Sequence, residues 1–269
     1  MSEIETQVEE QLEIAARIIA DASYVIALVG AGMSKESGIP TFRGGDGLWD
    51  KQGEPPMDGY QRFLEDPAGW MAERKAQAKH GNDFGRAIEE AKPNPGHFAL
   101  AEMERLGHLQ HIITQNIDNL HQEAGSTAIT EIHGNRTKQR CIGCGRRWNR
   151  GESLDELVMD SDDLPHCPDC GGIVKNDTVM FGEPIPQDAL ASCFEEARQA
   201  DAVLLIGTSA VVYPAAEFPV IVYRNGGRLI EVNPQETPLT EISDAVVRAP
   251  SGEALPQLVE LVGKLVTRG

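Results

Sequence analysis

The sequence predicts an α/β fold: a parallel sheet with helices on both faces, joined to a smaller module stapled by metal. Three observations carry that expectation. Short apolar runs of strand length alternate with stretches whose apolar residues recur at helical spacing, which implies a sheet covered on both sides. Several of those runs end in small or polar residues, Gly30, Gly207 and Asn233 among them. Cys141 and Cys144, then Cys167 and Cys170, form two Cys-x-x-Cys knuckles separated by twenty-two residues.

Taken in order, residues 4–20 set Ile4, Val8, Leu12, Ala15, Ala16 and Ile19 at helical spacing, the pattern of an amphipathic helix. Residues 24–29 are a short apolar strand that runs into Gly30-Ala31-Gly32-Met33-Ser34, a turn of small residues that lets a backbone approach a ligand phosphate. From 44 to 95 strand character gives way to Gly, Pro, Asp and helix formers, the composition of an inserted helical module. A helix over 96–106 leads to a second buried strand at 111–114, and the next extended piece covers Glu131 to His133. Beyond the cysteines come helix 187–199, strand 202–207, helix 214–224, strands 228–232 and 245–248, and a last helix over 252–266.

A chain of 269 residues and 29.3 kDa has room for one large core and a smaller lobe. Hydrophobic residues make up 41% of it without any continuous apolar run long enough to span a bilayer, so no membrane association is expected. The start is acidic (Glu3, Glu5, Glu9, Glu10) where a signal peptide is basic, and Cys-x-x-Cys thiols suit a reducing compartment; both point to a cytoplasmic protein. A net charge of −18 opposes the Lys/Arg-driven counterion release on which sequence-independent nucleic-acid binding rests, so no direct nucleic-acid binding is expected. The same charge either attracts basic protein substrates or is a solvated acidic face of the kind found in a salt-adapted cytoplasm.

Four thiolates from two knuckles make a closed tetrahedral site that suits Zn²⁺ and keeps no position open for chemistry, so the ion is expected to be structural. It would contribute on the order of 10 kcal/mol to folding, enough to order a module with almost no core of its own. Two disulfides or unrelated free thiols are the alternatives. His166, beside Cys167, is a spare ligand, and Cys193 reads as a small buried apolar residue of the 187–199 helix.

Gly30 to Ser34, Gly207-Thr208-Ser209 and Asn233 each close a strand, and three such ends at one crevice favour a nucleotide. The first is an incomplete dinucleotide fingerprint, because Lys35 stands where a third glycine belongs. Thr114 to His121 packs amides, a carboxylate and an imidazole directly after a buried strand, although Asn116 and Asp118 would also serve as helix caps. His133, followed by Gly134, is either a satisfied hydrogen bonder or a base that takes a proton near neutral pH.

Together these residues resemble the sirtuins, the silent-information-regulator family of NAD-dependent protein deacylases. The likeness rests on Gly30 to Ser34 continuing through Ser37-Gly38-Ile39-Pro40-Thr41-Phe42-Arg43, on Thr114 to His121, on His133-Gly134, on the four cysteines, on Phe181-Gly182-Glu183, and on Gly207-Thr208-Ser209 with Asn233. It implies a Rossmann-like NAD-binding domain from residues 1–44, 96–134 and 182–269. A small domain would combine a helical module at 45–95 with a zinc ribbon at 135–181. NAD, a consumed co-substrate, and an acetylated lysine of a substrate protein would meet between them. Gly30, Ala31, Gly32, Ser34, Gly207, Thr208 and Ser209 would hold the cofactor about its pyrophosphate, with Arg43 reaching toward it and Phe42 covering the reacting ribose. Gln115, Asn116 and Asp118 would line the ribose and nicotinamide pocket. Asn233 would take the adenosine ribose, and the main chain at Ala249 would border the adenine. His133 would be the general base and Asn116 a second catalytic group. The peptide would add as a strand beside Val179, Phe181, Gly182 and Glu183 on one side and Val212 on the other.

The implied products are nicotinamide, deacylated lysine and O-acyl-ADP-ribose. Relatives that remove succinyl or malonyl groups carry a Tyr and an Arg three apart in the helical module, whereas residues 63–80 hold Trp70 and Arg74 and no Tyr, so acetyl, with longer neutral acyl chains as a further option, is expected over succinyl. Thr41 and Asn176 depart from commoner family residues without touching a catalytic group. Mono-ADP-ribosyl transfer in the same pocket and a nonenzymatic zinc-ribbon interaction module are the rival readings.

Overall fold

A computed structural model describes residues 3–44, 47–80, 83–151 and 156–267. Helix α1 (Glu3–Asp21) leads to strand β1 (Val25–Val29) and a 3-10 turn at Ala31–Ser37. The insert that follows is helical: α2 (Leu48–Gln52), α3 (Gly59–Glu65), α4 (Pro67–His80) and α5 (Asp83–Glu90). Then come α6 (Pro95–Arg105), β2 (His111–Thr114), α7 (Leu120–Glu123) and β3 (Ile129–Glu131). The cysteine region holds β4 (Lys138–Cys141), β5 (Arg147–Asn149), β6 (Val158–Met159), β7 (Pro165–His166) and β8 (Val174–Asn176). The chain closes with α8 (Gln187–Gln199), β9 (Ala202–Ile206), α9 (Glu217–Arg224), β10 (Arg228–Val232), β11 (Ala245–Val247) and α10 (Ser251–Val266).

Side chains alternate across a strand, and here both sides are apolar. In β1, Val25, Ala27 and Val29 enter one core with Leu12, Ala16 and Ile19 of α1, Leu100 and Met103 of α6, and Leu255 and Leu258 of α10. Ile26 and Leu28 enter the other, with Cys193 and Ala197 of α8 and Phe218 and Val222 of α9. Such continuous apolar strands belong to parallel sheets. Six strands run in the order β11-β10-β9-β1-β2-β3, every pairing parallel. All strand C-termini therefore lie along one edge, where ligands of open α/β sheets bind. Among the described residues no helix is long and apolar enough to cross a membrane.

The boundaries differ from the sequence expectation in places that matter. The third strand stops at Glu131, so His133 stands in the turn beyond it. The helix expected over 214–224 begins at Glu217, and the segment after Gly30 is a 3-10 turn. In the cysteine region β5-β4-β8 form an antiparallel sheet beside the short β6–β7 pair, around a small core that among the described residues holds Cys141, Trp148, Leu157, Cys167 and Val174. The helical insert is anchored where Ile88, Ala91 and Phe84 pack on Ile39 and Leu120.

Candidate active site

The strand ends are laced to one another. Gly30 N donates to Ile206 O at 3.0 Å, Gly32 N to Gly207 O at 2.8 Å, Gly207 N to Val232 O at 3.1 Å, and Gln115 N to Val29 O at 2.9 Å. A Cβ on Gly30 would stand 2.8 Å from Gly207 O, and one on Gly32 would stand 2.7 Å from Gly207 Cα. Gly207 itself has φ of +55°, where a side chain is strained. The glycines are thus required because two loops approach each other, a cause additional to the ligand approach the sequence suggested.

Ser34 is the centre of the polar pocket. Its buried hydroxyl donates to Asp118 Oδ2 at 2.6 Å and accepts from Asn116 Nδ2 at 3.2 Å, while the same amide reaches Gly30 O at 3.0 Å. Asp118 Oδ1 accepts from Leu120 N at 3.0 Å, so one oxygen caps the short helix α7 and the other serves the pocket. Burial raises the Asp118 pKa above the usual carboxylate range, against the Ser34 and Leu120 hydrogen bonds that favour the ionised form. Asn116 does not cap a helix. Gln115 Nε2 donates to Thr208 Oγ1 at 2.9 Å, and Asn233 Nδ2 donates to Thr208 O at 2.8 Å, which brings three predicted positions to one loop. Ser209 is exposed beside them, and Ala249 follows β11 at the same edge, its N donating to Val247 O at 3.1 Å.

His121 does not join this pocket. Its ring lies 4.9 Å from that of His97, and burial, reinforced by His97, drives its pKa down to about 3.

His133 is tied to the segment that carries Asn116. Its Nδ1 lies 3.1 Å from Gln115 O, and because a carbonyl only accepts, Nδ1 carries the proton and Nε2 keeps a lone pair. Burial lowers the imidazole pKa below its ordinary value, and the Gln115 carbonyl offsets part of that. The backbone beyond it turns at Gly134, with φ of +77°. His133 O accepts from Val179 N at 2.9 Å, so the 179–183 segment starts against the His133 main chain.

That segment then crosses to the helical insert, where Phe181 O accepts from Tyr60 N at 3.0 Å and Gly182 passes Met57 O so closely that a Cβ would sit at 2.8 Å. Glu183 is turned inward: its carboxylate, 9% exposed, meets Lys175 Nζ at 2.9 Å and accepts from Met180 N at 2.8 Å. Its side chain shapes the segment from within. Val212 O accepts from Ala216 N at 2.9 Å, leaving that residue in a turn ahead of α9.

Phe42 is half-buried, because Trp49 and Phe84 pack on it with ring centroids 4.8 and 5.5 Å away. Arg43 lies over the Trp49 ring at 4.4 Å and donates to Glu54 Oε1 at 2.6 Å. Neither Trp49 nor Glu54 stood out in the sequence, since an aromatic and an acid in a polar, Pro- and Gly-rich stretch carry no periodic signal.

The four cysteine sulfurs lie within 4.8 Å of one another, with Cys141 to Cys170 at 3.4 Å and Cys144 to Cys167 at 3.7 Å. These are not disulfides. Thiolates about 2.3 Å from a tetrahedral Zn²⁺ stand about 3.8 Å apart, so the set fits that ion. His166 is spent elsewhere, with Nδ1 2.9 Å from Gly171 O and Nε2 2.8 Å from Asp160 Oδ2. Cys193 is fully buried, and burial raises its pKa to about 12, in keeping with an inert apolar role.

Residues 30–214 match the family model described as the Sir2 family. The NAD-dependent protein deacylase of Thermococcus kodakarensis is 45% identical over 251 residues, covering 92% of this chain and 94% of that one. A solved Sir2 homologue–NAD complex matches with a TM-score of 0.73 at 41% identity, over 93% of each chain. A mutant Sir2 solved with a deacetylated p53 peptide and 3′-O-acetyl ADP ribose matches with a TM-score of 0.72 at 34% identity, over 94% of this chain and 98% of that one.

Proposed function

The chain belongs to the Sir2 family, and on that premise we propose that it is an NAD-dependent protein-lysine deacetylase that releases nicotinamide, free lysine and O-acetyl-ADP-ribose. The observation that carries this reading is the imidazole of His133, whose Nδ1 is held by the carbonyl of Gln115, the chain neighbour of Asn116 in the Ser34–Asn116–Asp118 pocket, and whose main chain receives the 179–183 segment at Val179 N.

NAD supplies an anomeric carbon from which nicotinamide departs with its bonding electrons as the acyl oxygen of the substrate takes its place. Everything else falls to the chain. Ser34, Asn116 and Asp118 offer a hydroxyl, an amide and a carboxylate to the nicotinamide and ribose, already oriented by one another. The Gly30–Gly32 and Gly207–Ser209 turns present backbone at the sheet edge to the pyrophosphate, and Asn233 and Ala249 border the adenosine. His133 Nε2 takes the proton of a ribose hydroxyl, which then attacks the acyl carbon; one water completes release of the lysine amine. A positioned base of this kind is worth about 10²–10⁴-fold. Phe42, braced by Trp49 and Phe84, limits water at the reacting ribose. The peptide main chain adds alongside 179–183, which reads backbone more than sequence.

Zinc would be held by Cys141, Cys144, Cys167 and Cys170 and would brace the ribbon, with all four positions filled by thiolate. Acetyl is the proposed acyl group: Arg74 lies over Trp70 at 4.6 Å and donates to Gln77 Oε1 at 3.3 Å, so it is engaged within its own helix. Turnover of matched acetyl- and succinyl-lysine peptides tests both points. The acetyl peptide should react faster, and His133→Ala should stay folded and lose deacetylation; a succinyl preference would overturn the acyl assignment, and full activity of the variant would overturn the base.

A further inference from the structure

Two buried carboxylates grip the turn that carries His133. Glu131 ends β3 two residues before the imidazole, and its side chain, 5% exposed, accepts from Gln122 Nε2 at 2.6 Å, Lys138 Nζ at 2.9 Å and Arg147 Nη2 at 2.8 Å, and from Asn135 Nδ2. Asp177, just past β8 and fully buried, accepts from Asn135 N at 2.8 Å, Arg140 Nε at 2.6 Å and Arg147 Nε at 3.1 Å, and from Arg147 Nη2. The Asp177 carbonyl packs on Gly134, where a Cβ would stand 2.1 Å from it. His133, Gly134 and Asn135 are therefore enclosed by groups from the sheet on one side and the ribbon on the other.

Arg147 touches both carboxylates, and it comes from β5, between the two cysteine knuckles. We propose that Arg147 is a positioning residue for the reaction: by drawing Glu131 of the sheet and Asp177 of the ribbon together, it fixes the turn on which His133 stands. The proposal rests on the reading of His133 as the base. Arg147 is suited to the task because a planar guanidinium has donors enough for two carboxylates, whereas an ammonium acts as a point charge. Its loss need not unfold the chain, because Glu131 keeps Lys138 and Asp177 keeps Arg140 as charge partners. What is lost is the charged tie between them, because the second bridge, Asn135, is neutral. Both carboxyl groups stay below the usual carboxylate range: burial would raise them, and the donors, Asn135 and Lys138 for one and the two arginines for the other, outweigh it.

The test uses zinc-loaded enzyme carrying Arg147→Met or Arg147→Lys. It measures zinc per chain, kcat, KM for NAD and for acetyl peptide, and exchange of labelled nicotinamide into NAD, which reports the displacement that precedes the base step. Both variants should keep their zinc, hold each KM within about twofold and retain exchange, while kcat falls by about 10²-fold, the effect of displacing a catalytic group by about 1 Å. Wild-type kcat in either variant would overturn the proposal, as would loss of exchange in parallel with deacetylation or loss of zinc. If Arg147→Met does not fold, Arg147→Lys decides alone by the same outcomes. His133→Ala, assayed beside them, separates the two claims. Full activity there defeats the base assignment, whereas its inactivity with an unaffected Arg147 variant defeats only the positioning role.

Discussion

At the scale of single residues, the proposed chemistry turns on the protonation of His133. Its folded-state pKa lies below the ordinary value of about 6.5 because burial disfavours the imidazolium. A base must be neutral to act, so kcat should be level at neutral pH and fall as the solution is acidified, with a midpoint below that ordinary value. A pH–rate profile checks this, and a midpoint at or above the ordinary histidine value would contradict it. The sequence already singled out His133, Asn116 and Ser34, because polar residues after apolar strands are conspicuous. It could not foresee that Glu183 is spent on Lys175, or that Phe42 is packed by Trp49 and Phe84, since those partners come from other modules. Glu131, Asp177 and Arg147 were equally hidden: charged residues look solvated in sequence until tertiary pairing buries them.

At the scale of elements, strands and helices of the sheet were legible because both cores impose period. Val25 to Val29 and Ala202 to Ile206 are apolar throughout, and α1, α6 and α10 place their apolar stripes on one side. The end of β3 was less legible, because Ile132 is buried beyond the strand and prolongs the apolar pattern toward His133. The ribbon obeys a different rule. The core seen among its described residues is too small to order strands of two to four residues, and the knuckle spacing was the signal of what holds it. Stripping zinc with a chelator should expose the 141–170 region to limited proteolysis while the sheet domain stays resistant, since such a site contributes on the order of 10 kcal/mol. A ribbon that remains protected without metal would contradict the structural role of the ion.

At the scale of the whole molecule, the buried carboxylates make stability depend on pH. Glu131 and Asp177 have depressed pKa values in the folded state. Their contribution is therefore complete above the unfolded carboxylate values of about 4 and is lost as pH falls through the lower folded values. Urea unfolding at a series of pH values should show stability declining below about pH 4, less steeply in Arg147→Met, where part of the shift is removed. Equal slopes in the two proteins would show that Arg147 does not support these groups. With a net charge of −18, self-repulsion among the surface acids works in the opposite direction, easing as they are protonated, so the comparison between proteins is the informative quantity.

The most direct measurement is mass-spectrometric analysis of the products formed from NAD and an acetyl-lysine peptide. Nicotinamide, free-lysine peptide and O-acetyl-ADP-ribose should accumulate in equal amounts. Nicotinamide released while the peptide stays acetylated and ADP-ribose becomes attached to protein would contradict acyl transfer as the reaction of this site.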